Sequence, residues 1–332
     1  MNNENFGVGI IGIGSCIPEK VLSNYDLEKM VDTSDEWIRK RTGIVERRIL
    51  EKDEPTSKLA VEASKRALKS AGISPEEIDL IIVATETPDY LTPATACTIQ
   101  CDIGAVNAAA FDINAACSGF IYGMTIAQKF ISTGYYNNVL LIGCEGLTKI
   151  VDWEDRNTCV LFGDGSGAVI LSKVEPEYGI LSTDLGSVGE LGRNLTIPCC
   201  YISPEDLEKR PRENKRVLWM DGSEVFKFAV RIMDKSSKTV LEKAGLSMDQ
   251  VKLIVPHQAN IRIIEGAAKR LGISQDKIYS NIHKYGNISS ASIPVGIDEL
   301  FISGKIQKGD NIIVVGFGGG LTWAAGLIRW SK

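Results

Sequence analysis

The chain has 332 residues, 44% of them hydrophobic, and a formal net charge of −5. That length supports a core large enough for two domain-sized units. The acidic balance argues against nucleic acid as a partner. Met1 to Phe6 is polar with no apolar signal core, and no uninterrupted apolar run reaches the roughly 18 residues of a membrane span, so no membrane association is expected. Eight cysteines occur without a C-x-x-C pair. They read as reduced thiols of a cytoplasmic protein, with neither a disulfide framework nor a metal site.

In chain order, Gly7-Val-Gly-Ile-Ile-Gly12 has the letters of a dinucleotide-binding glycine motif but not its setting. The residues before it are polar, and Pro18 comes before any helix could start, so Val8 to Gly14 reads as a buried first strand. A polar segment from Asn24 to Arg48 follows, then a helix from Pro55 to Ser70 marked by apolar Leu59, Ala60, Ala63, Ala67 and Leu68. Leu80–Ala84 is a continuous apolar run, as in a strand buried on both faces. A helix is expected over Pro93 to Ile103, and strands at Ala109–Ile113 and Val139–Gly143. Between those strands lies Asn114-Ala-Ala-Cys-Ser-Gly119, leading into an apolar stretch, Phe120 to Ile131, with helical spacing. Cys117 therefore falls at a strand-to-helix turn, where a helix dipole favours the thiolate. A buried, inert cysteine is the competing reading.

The second half repeats the first. Leu68-Lys-Ser-Ala-Gly-Ile-Ser74 followed by Leu80-Ile-Ile matches Leu241-Glu-Lys-Ala-Gly-Leu-Ser247 followed by Leu253-Ile-Val, at an offset of 173 residues. Asn138-Val-Leu-Leu-Ile-Gly143 matches Asn311-Ile-Ile-Val-Val-Gly316 at the same offset. A duplicated α/β unit follows, with a boundary near Pro176–Gly179, halves at 1–177 and 178–332, and largely parallel sheets. Strand ends related by the repeat should meet, and ligand sites in such sheets gather at strand ends. On that geometry Cys117, His257 (after the strand Leu253–Val255) and Asn287 (in the turn Tyr285–Ser290) converge.

Four motifs, Asn114–Gly119, Pro256-His-Gln-Ala-Asn-Ile-Arg262, Tyr285-Gly-Asn-Ile-Ser-Ser-Ala-Ser292 and Gly316-Phe-Gly-Gly-Gly-Leu-Thr-Trp323, resemble β-ketoacyl-acyl-carrier-protein synthase III. Ser34-Asp-Glu-Trp-Ile38 and Arg41-Thr-Gly43 fit the same family, so the likeness covers almost the whole chain. The resemblance implies a thiolase-like α/β fold of two duplicated halves in five αβαβα layers, usually homodimeric. It implies decarboxylative condensation of an acyl-CoA primer with malonyl-acyl carrier protein to start fatty-acid synthesis, with acyl-CoA as substrate and no cofactor. Cys117 would carry the acyl group, and His257 and Asn287 would stabilise the enolate. The backbone amides of Cys117 and Gly319 would form the oxyanion hole. Thr33, Trp37, Arg41, Arg156, Gly222 and Asn260 match CoA-binding positions. Lys227, Arg262, Lys269 and Arg270 would dock the carrier protein. Thr92, before Pro93, stands where some members carry a bulky aromatic, implying an acyl pocket open to branched or longer primers.

A degradative thiolase would place a second cysteine where this chain has Phe317. The motifs leave open a related acyltransferase or a specialised polyketide or secondary-metabolite condensing enzyme. A non-catalytic partner subunit would have lost the thiol or the histidine, and both are present.

Overall fold

The computed structural model describes residues 6–209 and 217–332, so the polar N-terminal stretch up to residue 5 lies outside the described residues. One sheet contains β1 (Gly7–Cys16), β2 (Leu80–Ala84), β3 (Ala109–Ile113), β4 (Val139–Gly146) and β5 (Asp164–Val174), in the order β1-β5-β4-β2-β3. The other contains β6 (Gly179–Ser187), β7 (Leu253–Pro256), β8 (Asn311–Gly318) and β9 (Thr322–Arg329), in the order β7-β8-β9-β6. The helices that cover them are α1 (Asp35–Thr42), α2 (Ser57–Ala71), α3 (Thr95–Ile103), α4 (Gly119–Ser132), α5 (Gly222–Ala244), α6 (Ile261–Leu271) and α7 (Ser292–Ile302).

Five layers result, and strand periodicity sorts the side chains among them. On β2, Leu80 and Ile82 face a central layer with Phe120, Ile121 and Met124 of α4 and Ile293 and Ile297 of α7. Ile81 and Val83 face outward, onto Leu59, Ala63 and Ala67 of α2. On β8, Ile312 and Val314 join the central layer. Ile313 and Val315 pack under Phe228 and Ile232 of α5 and Ile264 and Ala267 of α6. The central strands are apolar on both faces because both faces meet helices.

The sheets are mixed, which corrects the expectation of largely parallel ones. β2 runs parallel to β3 and β4, and β7 parallel to β8, but the remaining pairs are antiparallel. The reason lies in the connections. β8 and β9 are joined by a turn at Gly319–Leu321, and no α-helix lies between β4 and β5. Without a crossover helix the chain returns antiparallel.

The repeat is visible in the register. Leu80 sits opposite Val139 in one sheet and Leu253 opposite Ile312 in the other, both pairs related by the 173-residue offset. α4 and α7 begin at Gly119 and Ser292, and α2 and α5 end at Ala71 and Ala244, again at that offset.

Candidate active site

Cys117 lies in a single 3-10 turn, Ala116–Ser118, that links β3 to α4. Ala116 takes φ 48°, a left-handed conformation that costs a non-glycine residue about 1–2 kcal/mol. Asn114 offsets part of that, because its Oδ1 accepts from the Ala116 amide at 3.1 Å. The β8–β9 hairpin closes on this turn. Thr322 Oγ1 donates to the Ala115 carbonyl at 2.9 Å, and a Cβ on Gly318 would sit 2.6 Å from the Cys117 amide nitrogen. Only glycine allows that approach. Gly319 and Ala116 line one cavity wall, which bears on the expected Cys117–Gly319 oxyanion pair.

Asn287 occupies the corresponding turn of the second half. Its Oδ1 accepts from the Ser289 amide at 2.8 Å, and Ser289 has φ 42°. Asn287 Nδ2 has no hydrogen-bond partner among the described residues. His257 follows β7 and is 1% exposed, with Nδ1 3.3 Å from Ser292 Oγ and its ring edge-on to Phe317 at 5.5 Å. Burial holds its imidazole down at about 3, opposed only in part by a hydrogen bond with the Ser289 backbone, so the ring is neutral at neutral pH. Gly316 lies between the two: a Cβ there would be 3.2 Å from the Cys117 carbonyl oxygen and 3.7 Å from His257 Cβ. Cys117, His257 and the Asn287 turn are thus in one buried cluster.

Cys117 differs from expectation in one respect. Burial and the charge of Glu86 push its thiol well above the usual range, so the turn does not by itself favour the thiolate. Two acidic residues that the motif reading passed over add to the effect of burial. Glu86 Oε1 lies 3.9 Å from Cys117 Sγ and accepts a hydrogen bond from Ser289 Oγ. Glu145 is fully buried and accepts from Ser290 Oγ at 2.7 Å, Thr87 Oγ1 at 2.9 Å and the Glu86 amide at 3.1 Å. Burial raises Glu86, while burial and the neighbouring Glu86 charge push Glu145 up to about 8. One signal was available in the sequence: Glu86 lies two residues past the strand end at Ala84, and ligand sites collect at strand ends.

Two cavities lie near the cluster, lined by residues close in sequence to Cys117 and His257 but not by Cys117, His257 or Asn287 themselves. The first, about 610 Å3, is lined by Trp37, Arg41, Gly222, Lys227, Asn260 and Arg262, among others. Ser34 caps α1 by accepting from the Trp37 amide at 3.2 Å, and Asn260 ties α1 to α6 by donating to the Arg41 carbonyl at 3.0 Å. The guanidinium groups of Arg41 and Arg156 sit 5.0 and 5.2 Å from the Trp37 ring centre. Thr33 is absent from this lining, and its Oγ1 is buried without a partner among the described residues. Arg262, Lys269 and Arg270 are exposed on α6, and Lys227 on α5 pairs with Glu224 at 2.7 Å.

The second cavity, about 670 Å3, is lined by Glu86, Tyr90, Leu91, Ala116, Cys199 and Gly319, among others. Thr92 is exposed and does not line it; the same loop reaches the cavity through Tyr90 and Leu91 instead.

Known proteins are similar to this chain over nearly its whole length. The family model described as 3-oxoacyl-[acyl-carrier-protein] synthase III matches residues 111–189, and that for the C-terminal part of the same synthase matches residues 241–330. The chain is 54% identical over 329 residues to the β-ketoacyl-[acyl-carrier-protein] synthase III of Caldanaerobacter subterraneus subsp. tengcongensis, covering 99% of each. It is 54% identical over 326 residues to that of Geobacillus kaustophilus, covering 98% of this chain and 100% of the relative. The crystal structure of 3-oxoacyl-[acyl-carrier-protein] synthase III from Aquifex aeolicus superposes with TM-score 0.91 at 49% identity, covering 98% of this chain and 100% of the other. The chain therefore belongs to the β-ketoacyl-acyl-carrier-protein synthase III family, with its thiolase-like fold, and is an acyltransferase-type condensing enzyme that initiates fatty-acid synthesis.

Proposed function

We propose that the enzyme joins an acyl-CoA primer to malonyl-acyl carrier protein through an acyl-Cys117 intermediate, releasing CoA and CO2 and giving 3-oxoacyl-acyl carrier protein. The observation that carries this reading is the single buried cluster of Cys117, His257 and the Asn287 turn, joined through Gly316 and Ser289 beside two cavities. In the first half-reaction the sulfur attacks the primer thioester. The amides of Cys117 and Gly319 stabilise the oxyanion, a contribution of about 3 kcal/mol per donor. In the second, a neutral His257 donates one N–H and Asn287 its Nδ2 to the malonyl thioester oxygen. The enolate left by decarboxylation then attacks the acyl-cysteine.

The first cavity suits CoA. Trp37 offers a ring face for the adenine, with Arg41 and Arg156 beside it for phosphate. A base entering between Trp37 and Arg156 requires Arg156 to move, because the two are already in contact. Gly222 and Asn260 lie along the same wall for the pantetheine arm, and no cofactor is needed. Thr33 would act only at the rim. Lys227, Arg262, Lys269 and Arg270 form the docking face for the acidic carrier protein. The outer edge of β3 and the exposed Tyr90, Leu91 and Val106 support a homodimer formed there. The halves 1–177 and 178–332 are read as one duplicated unit, in a cytoplasmic protein.

Intact-mass measurement with a chain-length series of acyl-CoAs tests the scheme. The expected result is one acyl adduct, absent in Cys117→Ser and discharged by malonyl-acyl carrier protein. Branched or longer primers should load as well as acetyl, and strict restriction to acetyl-CoA would defeat the reading of an open acyl pocket. No adduct with any acyl-CoA would overturn the whole reading.

A further inference from the structure

The acylation step needs a proton acceptor for the Cys117 thiol, and three observations narrow the choice. Burial and the adjacent carboxyls favour the neutral thiol, and no Lys or Arg is among the groups acting on it. The His257 imidazole, held at about 3, is a weak base. Glu86 is the ionisable side chain with an oxygen at hydrogen-bond distance from the sulfur, at 3.9 Å.

We propose that Glu86 is a catalytic residue of the acylation half-reaction, taking the Cys117 proton as the sulfur attacks and returning it to the departing CoA sulfur. This rests on the acyl-Cys117 reading above. Its geometry is that of an acceptor, since Cys117 Sγ and Ser289 Oγ both donate to Oε1. Glu86 also lines the second cavity together with Gly319 and with Ala116, the residue before the nucleophile. Glu145 has a different role. Its carboxyl is saturated by Ser290, Thr87, Thr85 and the Glu86 amide, does not touch the sulfur, and fixes the Glu86 backbone.

The step balances. The S–H proton passes to the Glu86 carboxylate as Sγ bonds to the thioester carbonyl carbon. Collapse of the tetrahedral species breaks the carbon–sulfur bond to CoA. The CoA sulfur leaves with the electron pair and takes the proton from Glu86, which restores the carboxylate with no net proton change. Burial lifts Glu86 above the ordinary carboxylate range, towards the strength a base needs near neutral pH. The titratable groups facing it are Cys117 and Glu145.

Rapid-quench intact-mass kinetics of the full-length enzyme with acetyl-CoA, across pH, decide the matter. Glu86→Gln should slow acyl-enzyme formation about 100-fold or more and remove the pH limb belonging to the carboxylate. Once the adduct has accumulated, its discharge by malonyl-acyl carrier protein should stay within about 3-fold of wild type. Ser289→Ala removes a donor to the carboxylate, so the limb should move to higher pH. Unchanged acylation in Glu86→Gln, equal slowing of both half-reactions, or faster acylation (the result if Glu86 only suppresses the thiolate by its charge) would each overturn the proposal. So would an unmoved limb in Ser289→Ala, the variant that answers the question if Glu86→Gln fails to fold. A wild-type enzyme that forms no adduct would count against the acyl-cysteine reading itself, which separates the two failures.

Discussion

The turn carrying Cys117 and the turn carrying Ser290 are built alike and do different work. Each opens with an asparagine whose Oδ1 accepts the amide two residues on, at 3.1 Å in the first half and 2.8 Å in the second. Each then passes through a non-glycine residue with positive φ, Ala116 and Ser289, and starts a central helix two residues after Cys117 and Ser290. Yet Cys117 is 7% exposed beside Glu86, while Ser290 is 1% exposed with its hydroxyl 2.8 Å from the Ala84 carbonyl and 2.7 Å from the Glu145 carboxyl. At the repeat offset His257 corresponds to Ala84, Glu145 to Gly318 and Glu86 to Ala259. The backbone was duplicated; what faces it was not. Reactivity therefore comes from the facing groups, and the turn only presents the residue.

Four substitutions and a change of pH break or sharpen that contrast. The largest effect should come from His257→Ala, which removes a group with no counterpart in the first half. The acyl adduct should still form, but its discharge by malonyl-acyl carrier protein should fall about 10²–10³-fold in single-turnover assays. Next is the pair Gly318→Ala and Gly143→Ala. A Cβ at 318 would meet the Cys117 amide at 2.6 Å, and one at 143 the Ser290 carbonyl oxygen at 2.4 Å. The first should reduce acylation about 100-fold by displacing the nucleophile. The second should lower stability by about 1–3 kcal/mol in urea unfolding while folded molecules acylate within a few-fold of wild type.

The third concerns pH. Folded His257 titrates at about 3 and an unfolded histidine near 6.5, so the unfolded chain binds more protons between these values. Stability from this residue is present above pH 6.5 and lost as pH falls. Glu145, raised to about 8, acts in the opposite sense, losing stability as pH rises from about 4.5 to about 8. The comparison must therefore be made against His257→Ala. Between pH 7 and 5 the wild type should lose about 2 kcal/mol more than that variant in urea titrations. An equal loss would mean that the folded imidazole is not held neutral. The smallest effect is expected from Ser290→Ala, about 1 kcal/mol in thermal or urea unfolding, with the acylation rate nearly unchanged.

Much of the scaffold was legible because it rests on repetition. Leu80–Ala84 was bounded correctly, since an unbroken apolar run marks a strand covered on both faces. Ala109–Ile113 was also bounded correctly, but it is an edge strand that contains Asp112 and is only partly buried. The fixed offset brought the Cys117, His257 and Asn287 segments together. The antiparallel strands were missed because continuous apolar strands look the same in either direction; the connections decide, and these were too irregular to read. Thr92 was singled out for its place before Pro93, yet its neighbours Tyr90 and Leu91 reach the cavity. Glu86 was missed because a single acid after a strand carries no periodicity. Its significance depends on Ser289 and Cys117, which are far away in sequence. The raised thiol was invisible for the same reason: the dipole is local, but the burial and opposing charge are tertiary.

Gly316 receives the Cys117 carbonyl and Gly143 the Ser290 carbonyl, so each half's turn rests on a strand of the other half. Residues 117 and 316 are separated by well over half of the chain. Contacts of such long range form late, after the local helices and strands. A chain emerging from synthesis with only its first half complete therefore carries the cysteine without β8, the strand that seats it. Chemical competence arrives with the last sheet, and a partly folded copy has a thiol but no means of directing it at a thioester.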